Sequence, residues 1–234
     1  MKQLKLIAIA LVFSNFSFAQ KDIAGKVKTE VVKKKSIQYA LHIPENSKDK
    51  KPLIVFLHGA GERGTDIEKV KVHGPFKYLK TNVLDAYILA PQCAENEYWD
   101  TDSLYELVLK IQKEHNIDDS LIYLTGLSMG AWGAWNLATA HPEKFTALVT
   151  IAGAVDRVVL LENKKLASMP IKIFHGLLDD VVDMNYSVMM YKRLKASNGN
   201  VTLTIFDDAN HDSWSRVYDN KEIYEWMFKQ TKNK

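Results

Sequence analysis

Gly126-Leu127-Ser128-Met129-Gly130 sets a serine between glycines two residues to either side. That spacing suits a hydroxyl carried on a turn so sharp that side chains at the flanking positions would collide. The apolar run before it, Leu121 to Thr125, reads as a strand, and residues 129–140 read as a helix. A serine at such a turn projects out of the sheet toward a helix N-terminus, where backbone N–H groups and the helix dipole favour negative charge. The chemistry within reach is nucleophilic attack by Ser128 on a carbonyl.

A hydroxyl is a weak nucleophile near neutral pH and needs a base. Of the seven histidines, His141, His175 and His211 follow Ser128, as the base must where the chain order is nucleophile, acid, histidine. His141 precedes Pro142 at the far end of the helix that Ser128 begins, and His175 ends a strand. His211 lies in the polar loop Asp207 to Ser213, between the last strand and the last helix, and can reach back over the sheet. It is the candidate base. The acid that holds the histidine tautomer is then sought between Ser128 and His211. Asp179 and Asp180 lead, Asp156 is a fallback, and Asp207 and Asp208 stand too near His211 in sequence.

Acyl transfer develops charge on the carbonyl oxygen, and prepositioned N–H donors stabilise it. Met129, directly after Ser128, offers one. The stretch His58-Gly59-Ala60-Gly61-Glu62-Arg63-Gly64 follows the first parallel strand, and its glycines let backbone approach a substrate closely. Ala60 N–H is the expected second donor, with His58 a structural residue buried beneath the loop. No G-x-x-x-x-G-K-[ST] phosphate loop and no C-x-x-C or H-E-x-x-H zinc spacing occurs. This chemistry calls for no metal and no organic cofactor.

The elements that must position these groups belong to a chain of 234 residues, 47% hydrophobic and 25% charged. That mix supports a sizeable core and excludes a disordered chain or a fibre. A net charge of +3, from 31 basic and 28 acidic residues, is too balanced for a nucleic-acid binder. Cys93 is the single cysteine, so no intrachain disulfide can form, and it reads as a small buried hydrophobe. Two lysines, the apolar run Leu6 to Phe13 and Ser17-Phe18-Ala19 read as a signal peptide over 1–19, cut after Ala19. The run is too short to span a bilayer. The mature chain is therefore expected to be secreted or periplasmic, with one catalytic domain over 20–234.

Residues 26–43 alternate and suggest an antiparallel opening ribbon. Leu53–Leu57, Ala86–Ala90, Leu121–Thr125, Ala147–Ile151, Ile171–Phe174 and Val201–Phe206 read as strands buried on both faces. Between them, Ser103 is expected to cap a helix over 104–115 with the stripe Leu104, Leu107, Val108 and Ile111. Further helices are expected at 129–140, 185–197 and 219–230. The alternation predicts an α/β fold, a mostly parallel central sheet with helices on both faces and antiparallel strands at the N-terminus.

Together the His58-Gly59-Ala60-Gly61 loop, Gly126 to Gly130, the His175-Gly176…Asp179…Val182 string and Asn210-His211-Asp212-Ser213-Trp214 resemble the α/β-hydrolase superfamily. Leu57 to Gly64 and Ala90-Pro91-Gln92-Cys93…Trp99 are similar to its bacterial secreted carboxylesterases and predicted peptidases. Phospholipase/carboxylesterase-like, polyhydroxybutyrate-depolymerase-like and feruloyl-esterase-like groups belong there. In these relatives the acid lies four residues after the His-Gly histidine, so the resemblance selects Asp179. Asn210 stands where many relatives have glycine, which bears on the placing of the His211 loop. Asp183 stands where proline is common, which bears on the stiffness of the acid loop.

The resemblance implies an exported serine carboxylesterase. Its partner would be a small-molecule or polysaccharide-linked ester, carrying a small acyl, acetyl or feruloyl group. A peptidase of the same fold and a catalytically silent binding protein are the alternatives. Trp99 and Trp214 are expected to line the site as stacking faces for a phenolic acyl group or a sugar, with Trp132, Trp135 and Trp226 as packing residues. Arg63 is expected as a solvated loop charge.

Overall fold

Runs in which nearly every residue is apolar are buried on both faces at the centre of one seven-stranded sheet. The computed structural model describes residues 23–29 and 34–232. The expected signal peptide lies outside them. The chain divides into two units, Met1–Lys34 and Lys35–Lys234. In the first, residues 23–29 carry neither helix nor strand.

The second unit runs β1 (Tyr39–His42), β2 (Lys51–Leu57), α1 (Gly74–Tyr78), β3 (Tyr87–Pro91), α2 (Thr101–Glu114), β4 (Ile117–Leu127) and α3 (Met129–Ala140). It continues with β5 (Ala147–Ile151), α4 (Arg157–Leu161), β6 (Ile171–Gly176), α5 (Asn185–Ala196), β7 (Val201–Phe206), α6 (Trp214–Tyr218) and α7 (Lys221–Phe228). Strand order is β1-β3-β2-β4-β5-β6-β7, with β1 antiparallel to β3 and the rest parallel. The chain crosses from β3, on one side of β2, to β4 on the other. The loops after β2 and β4 therefore flank a switch point, where α/β sheets leave a crevice beyond their strand ends. Leu57 pairs with Gly126 across it, so the loop beginning at His58 lies beside Ser128.

One core layer joins the sheet to Leu104, Leu107, Val108 and Ile111 of α2, Trp135 and Leu137 of α3, and Met190 and Leu194 of α5. The other packs Tyr78, Val217, Tyr218, Ile223, Tyr224 and Met227 against the opposite face. Each fully buried Leu, Ile or Phe among them contributes roughly 1.5–3 kcal/mol. Among the described residues no helix is long and apolar enough to cross a membrane.

Three expectations are corrected. The opening ribbon over 26–43 is absent among the described residues: the strand is Tyr39–His42, and it pairs with β3, Tyr39 facing Pro91. The alternation marks a strand with two unlike faces, but its partner is distant in sequence. Helix α2 begins earlier than expected, with Asp100 as cap: its Oδ1 accepts the Ser103 N–H at 3.0 Å. The last strand is not buried on both faces, because at the edge of the sheet Thr202, Thr204 and Ile205 of β7 are exposed. The helix expected over 219–230 is α7, started by the Asn220 side chain accepting the Glu222 N–H.

Candidate active site

The ends of β2, β4, β6 and β7 bring four loops together. Ser128 sits at the tip of the β4–α3 turn with φ 51° and ψ −121°, a positive φ rare for a residue with a Cβ. Such a backbone costs on the order of 1–3 kcal/mol and persists only where its surroundings enforce it. Here Ser128 N–H donates to Ile151 O at 2.9 Å, while Ser128 O receives Ala131 N–H at 3.0 Å. The flanking glycines are steric necessities. A Cβ on Gly126 would overlap the Gly130 carbonyl, and one on Gly130 would overlap the Leu57 carbonyl.

His211 comes from the loop after β7. Its Nε2 lies 3.0 Å from Ser128 Oγ and its Nδ1 2.8 Å from Asp179 Oδ2. The carboxylate oxygen only accepts, so Nδ1 carries the proton, Nε2 is the acceptor, and the serine hydroxyl donates to it. His211 retains 18% exposure while the Asp179 side chain is fully buried. Asp179 Oδ1 accepts N–H from Val181 at 3.0 Å and Val182 at 2.9 Å. Burial pushes the Asp179 carboxyl up, but the His211 hydrogen bond and those two N–H groups outweigh it and hold the carboxyl below its ordinary value. Asp180 is exposed, Asp156 accepts from Asn136 Nδ2 at 3.0 Å, and Asp208 pairs with Arg216 at 2.7 Å.

The two sequence departures have local answers. Asn210 Oδ1 accepts the Asp212 N–H at 3.1 Å and closes a turn around His211. Asp183 Oδ1 accepts the Asn185 N–H at 2.8 Å and fixes the entry to α5. Gly176 lets the acid and base loops meet, since a Cβ there would overlap the Ala209 and Asn210 carbonyls.

Ala60 opens a 3-10 turn, Ala60–Glu62, and Met129 opens α3. An N–H in the first turn of a helix has no acceptor within it. Below this loop His58 is fully buried, its Nδ1–H donating to Gly59 O at 2.7 Å and its Nε2 accepting from Cys93 N–H at 3.0 Å. Burial lowers its pKa to about 4. Glu62 Oε2 accepts the Gly59 N–H at 3.0 Å, an anchor legible in the three-residue spacing of a capping box. Gly59, Gly61 and Gly64 also have dinucleotide-loop spacing, but a 3-10 turn of three residues follows β2 in place of the helix such a loop requires. Burial raises the Cys93 thiol pKa. Among the described residues no group of three or more His, Cys, Asp or Glu is placed to hold a metal.

Trp99 departs from expectation. It is 7% exposed, its ring meets His58 edge-on at 4.7 Å, and its Nε1–H donates to His58 O at 3.3 Å. It supports the loop from below because the absent side chain of Gly133 makes room for it on α3. Trp214 is half-buried beside the site, its ring 5.0 Å from that of His211 and 5.8 Å from that of His73. Arg63 is no free loop charge: Nε donates to Ala60 O at 3.1 Å and Nη1 to Glu97 O at 3.3 Å. One neighbour went unread in the sequence. His175 Nε2 lies 3.1 Å from Asp179 Oδ2, and the four-residue interval between them was the available signal.

The phospholipase/carboxylesterase family model matches residues 85–222. A probable feruloyl esterase C of Aspergillus terreus (strain NIH 2624 / FGSC A1156) is 26% identical over 170 residues, 69% of this chain and 62% of its own. A poly(3-hydroxyalkanoate) depolymerase C of Paucimonas lemoignei is 26% identical over 130 residues, 50% of this chain and 31% of its own. The chain thus spans only part of the length of these relatives. A solved thermostable esterase superposes with a TM-score of 0.74 and 32% identity, over 84% of this chain and 60% of that one.

Proposed function

The chain belongs to the phospholipase/carboxylesterase family, and from that premise we propose that it is an exported serine carboxylesterase. The reading rests above all on the hydrogen-bonded series Ser128 Oγ, His211 and Asp179, with spacings of 3.0 Å and 2.8 Å. Ser128 Oγ attacks the ester carbonyl while His211 Nε2 takes its proton. The oxyanion is held by the Met129 and Ala60 N–H groups. Asp179 keeps Nδ1 protonated and stabilises the imidazolium. His211 then gives its proton to the leaving alcohol, and Ser128 retains the acyl group. A water deprotonated by the same Nε2 attacks the acyl-enzyme, releasing the acid and restoring the serine.

The substrates are small acyl, acetyl or feruloyl esters, including those linked to polysaccharides. Trp214, beside His211, offers the aromatic face for a phenolic or sugar group. The feruloyl esterase and polyester depolymerase names of the relatives agree with an ester carbonyl as target. Residues 1–19 direct export, with cleavage after Ala19.

Hydrolysis of p-nitrophenyl acetate and butyrate, methyl ferulate and an acetylated xylan oligomer tests this reading. The wild-type protein is expected to turn over at least one of these esters, and Ser128→Ala and His211→Ala to abolish turnover while remaining folded. Wild-type rates in either variant would contradict the assignment. Peptide cleavage without ester turnover would favour the peptidase reading instead.

A further inference from the structure

The carboxylate of Asp179 has a second histidine on the oxygen that faces His211. His175 Nε2 is 3.1 Å from Asp179 Oδ2 and 3.0 Å from Val182 O, and its Nδ1 is 2.7 Å from Ser187 Oγ. His175 is fully buried and Ser187 is 3% exposed, so neither side chain is placed to touch a substrate.

The partners decide the tautomer. Asp179 Oδ2 and Val182 O are acceptors only, so Nε2 must carry the proton. Nδ1 is then the bare nitrogen, and the Ser187 hydroxyl donates to it. The Nε2–H is directed at the Val182 carbonyl, and Asp179 Oδ2 lies 3.1 Å from the same nitrogen. Val182 in turn gives its N–H to the other carboxylate oxygen, Oδ1, at 2.9 Å. The segment 179–182 thus wraps its own carboxylate. It is fastened to the end of β6 by the His175 ring and, through Ser187, to the first turn of α5. With Val181 and Val182 on Oδ1, His211 on Oδ2 and the Val182 carbonyl tied to His175, the carboxylate cannot rotate without breaking several bonds in a buried place.

We propose that His175, oriented by Ser187, is a positioning residue that aims Asp179 Oδ2 at His211 Nδ1. This rests on the reading of Ser128, His211 and Asp179 as the catalytic groups. Removal of the Nε2–H frees the Val182 carbonyl, loosens the Val182 N–H on Oδ1 and lets the carboxylate turn away from His211. The histidine loses its alignment while the substrate surface is unaltered. The deficit falls on kcat.

The test compares His175→Phe, His175→Gln and Ser187→Ala with wild type in full-length protein, by steady-state kinetics on p-nitrophenyl acetate and by proton NMR of the low-field His211 Nδ1–H resonance. Removing a partner that orients a functional group typically costs roughly 10- to 100-fold in activity. His175→Phe is expected to lose kcat in that range and to shift or broaden the resonance, with KM within about 2-fold of wild type. In His175→Gln the amide N–H reaches the place of Nε2–H and restores most of the loss. Ser187→Ala lowers kcat by a few-fold, roughly one lost hydrogen bond.

A folded His175→Phe with wild-type kcat and an unchanged resonance overturns the proposal. So does a His175→Gln variant that falls as far as His175→Phe. If His175→Phe does not fold, Ser187→Ala decides: wild-type kcat and resonance overturn the proposal, and the expected drop with a shifted resonance supports it. Activity persisting in Ser128→Ala would sink the underlying reading instead, and the resonance would still report whether His175 orders the Asp179–His211 bond.

Discussion

Three N–H donors, from Val181, Val182 and His211, converge on one buried carboxylate at Asp179, whereas the next residue, Asp180, is exposed. A neutral amide at 179 offers His211 the wrong hydrogen-bond pattern, because its N–H₂ can force the imidazole into the other tautomer. Asp179→Asn is therefore expected to lower kcat by roughly 10⁴-fold, and Asp180→Asn to stay near wild type, in parallel assays on one ester. A larger loss in Asp180→Asn would move the acid by one residue. Ser128, His211 and Asp179 were legible because a local motif, a chain order and a family spacing single them out, and the fold brings these three together. Trp99 was misplaced for the opposite reason. An aromatic residue before a helix has the same composition signal whether it faces a substrate or a glycine on a neighbouring helix, and here it faces Gly133. His175 reads only as the end of a strand until the turn after β6 folds Asp179 back onto it.

The loop after β2 depends on a neutral imidazole beneath it. His58 uses Nδ1–H for Gly59 O and keeps Nε2 bare for the Cys93 N–H. A second proton would set two N–H groups against each other in a buried site. The folded state takes up that proton only near pH 4, against an ordinary value of 6.5. Between these values the unfolded chain binds more protons, so stability is lost as the pH falls from 6.5 toward 4. The loss reaches about 3 kcal/mol in total. Urea midpoints measured from pH 7 to pH 4.5 are expected to fall more steeply for wild type than for His58→Gln, which has nothing to titrate there. Parallel slopes would contradict this account of the loop. The central parallel strands were legible because burial on both faces leaves little polar punctuation within them. The pairing of β1 with β3 was not, since alternation fixes which face is buried and says nothing of a partner about fifty residues away. Helix α2 starts earlier than expected because Asp100, and not Ser103, caps it and takes a free N–H group.

Across the whole molecule the sheet separates two apolar layers, and the site occupies the strand ends between them. Stability and chemistry should therefore be separable. Leu194, fully buried on α5 about two helical turns beyond Ser187, illustrates this. Leu194→Ala is expected to cost about 2–5 kcal/mol and to lower the melting temperature while leaving kcat per folded chain unchanged. A matching fall in kcat would show that the core beneath α5 tunes the site. Composition carried the molecule's class from the start, because a balanced charge and an ample apolar fraction fit an α/β domain better than a nucleic-acid binder. Acyl and alcohol preference was beyond it, being set by loop surfaces such as that of Trp214.

The central claim is that Ser128 forms a covalent bond with the acyl carbonyl. Titration with a fluorophosphonate, followed by mass spectrometry of the tryptic peptides, reads it most directly. One label per chain is predicted, on Ser128, with ester turnover lost in proportion and no label in Ser128→Ala. A label on another residue, or turnover that survives complete labelling of Ser128, would contradict the account.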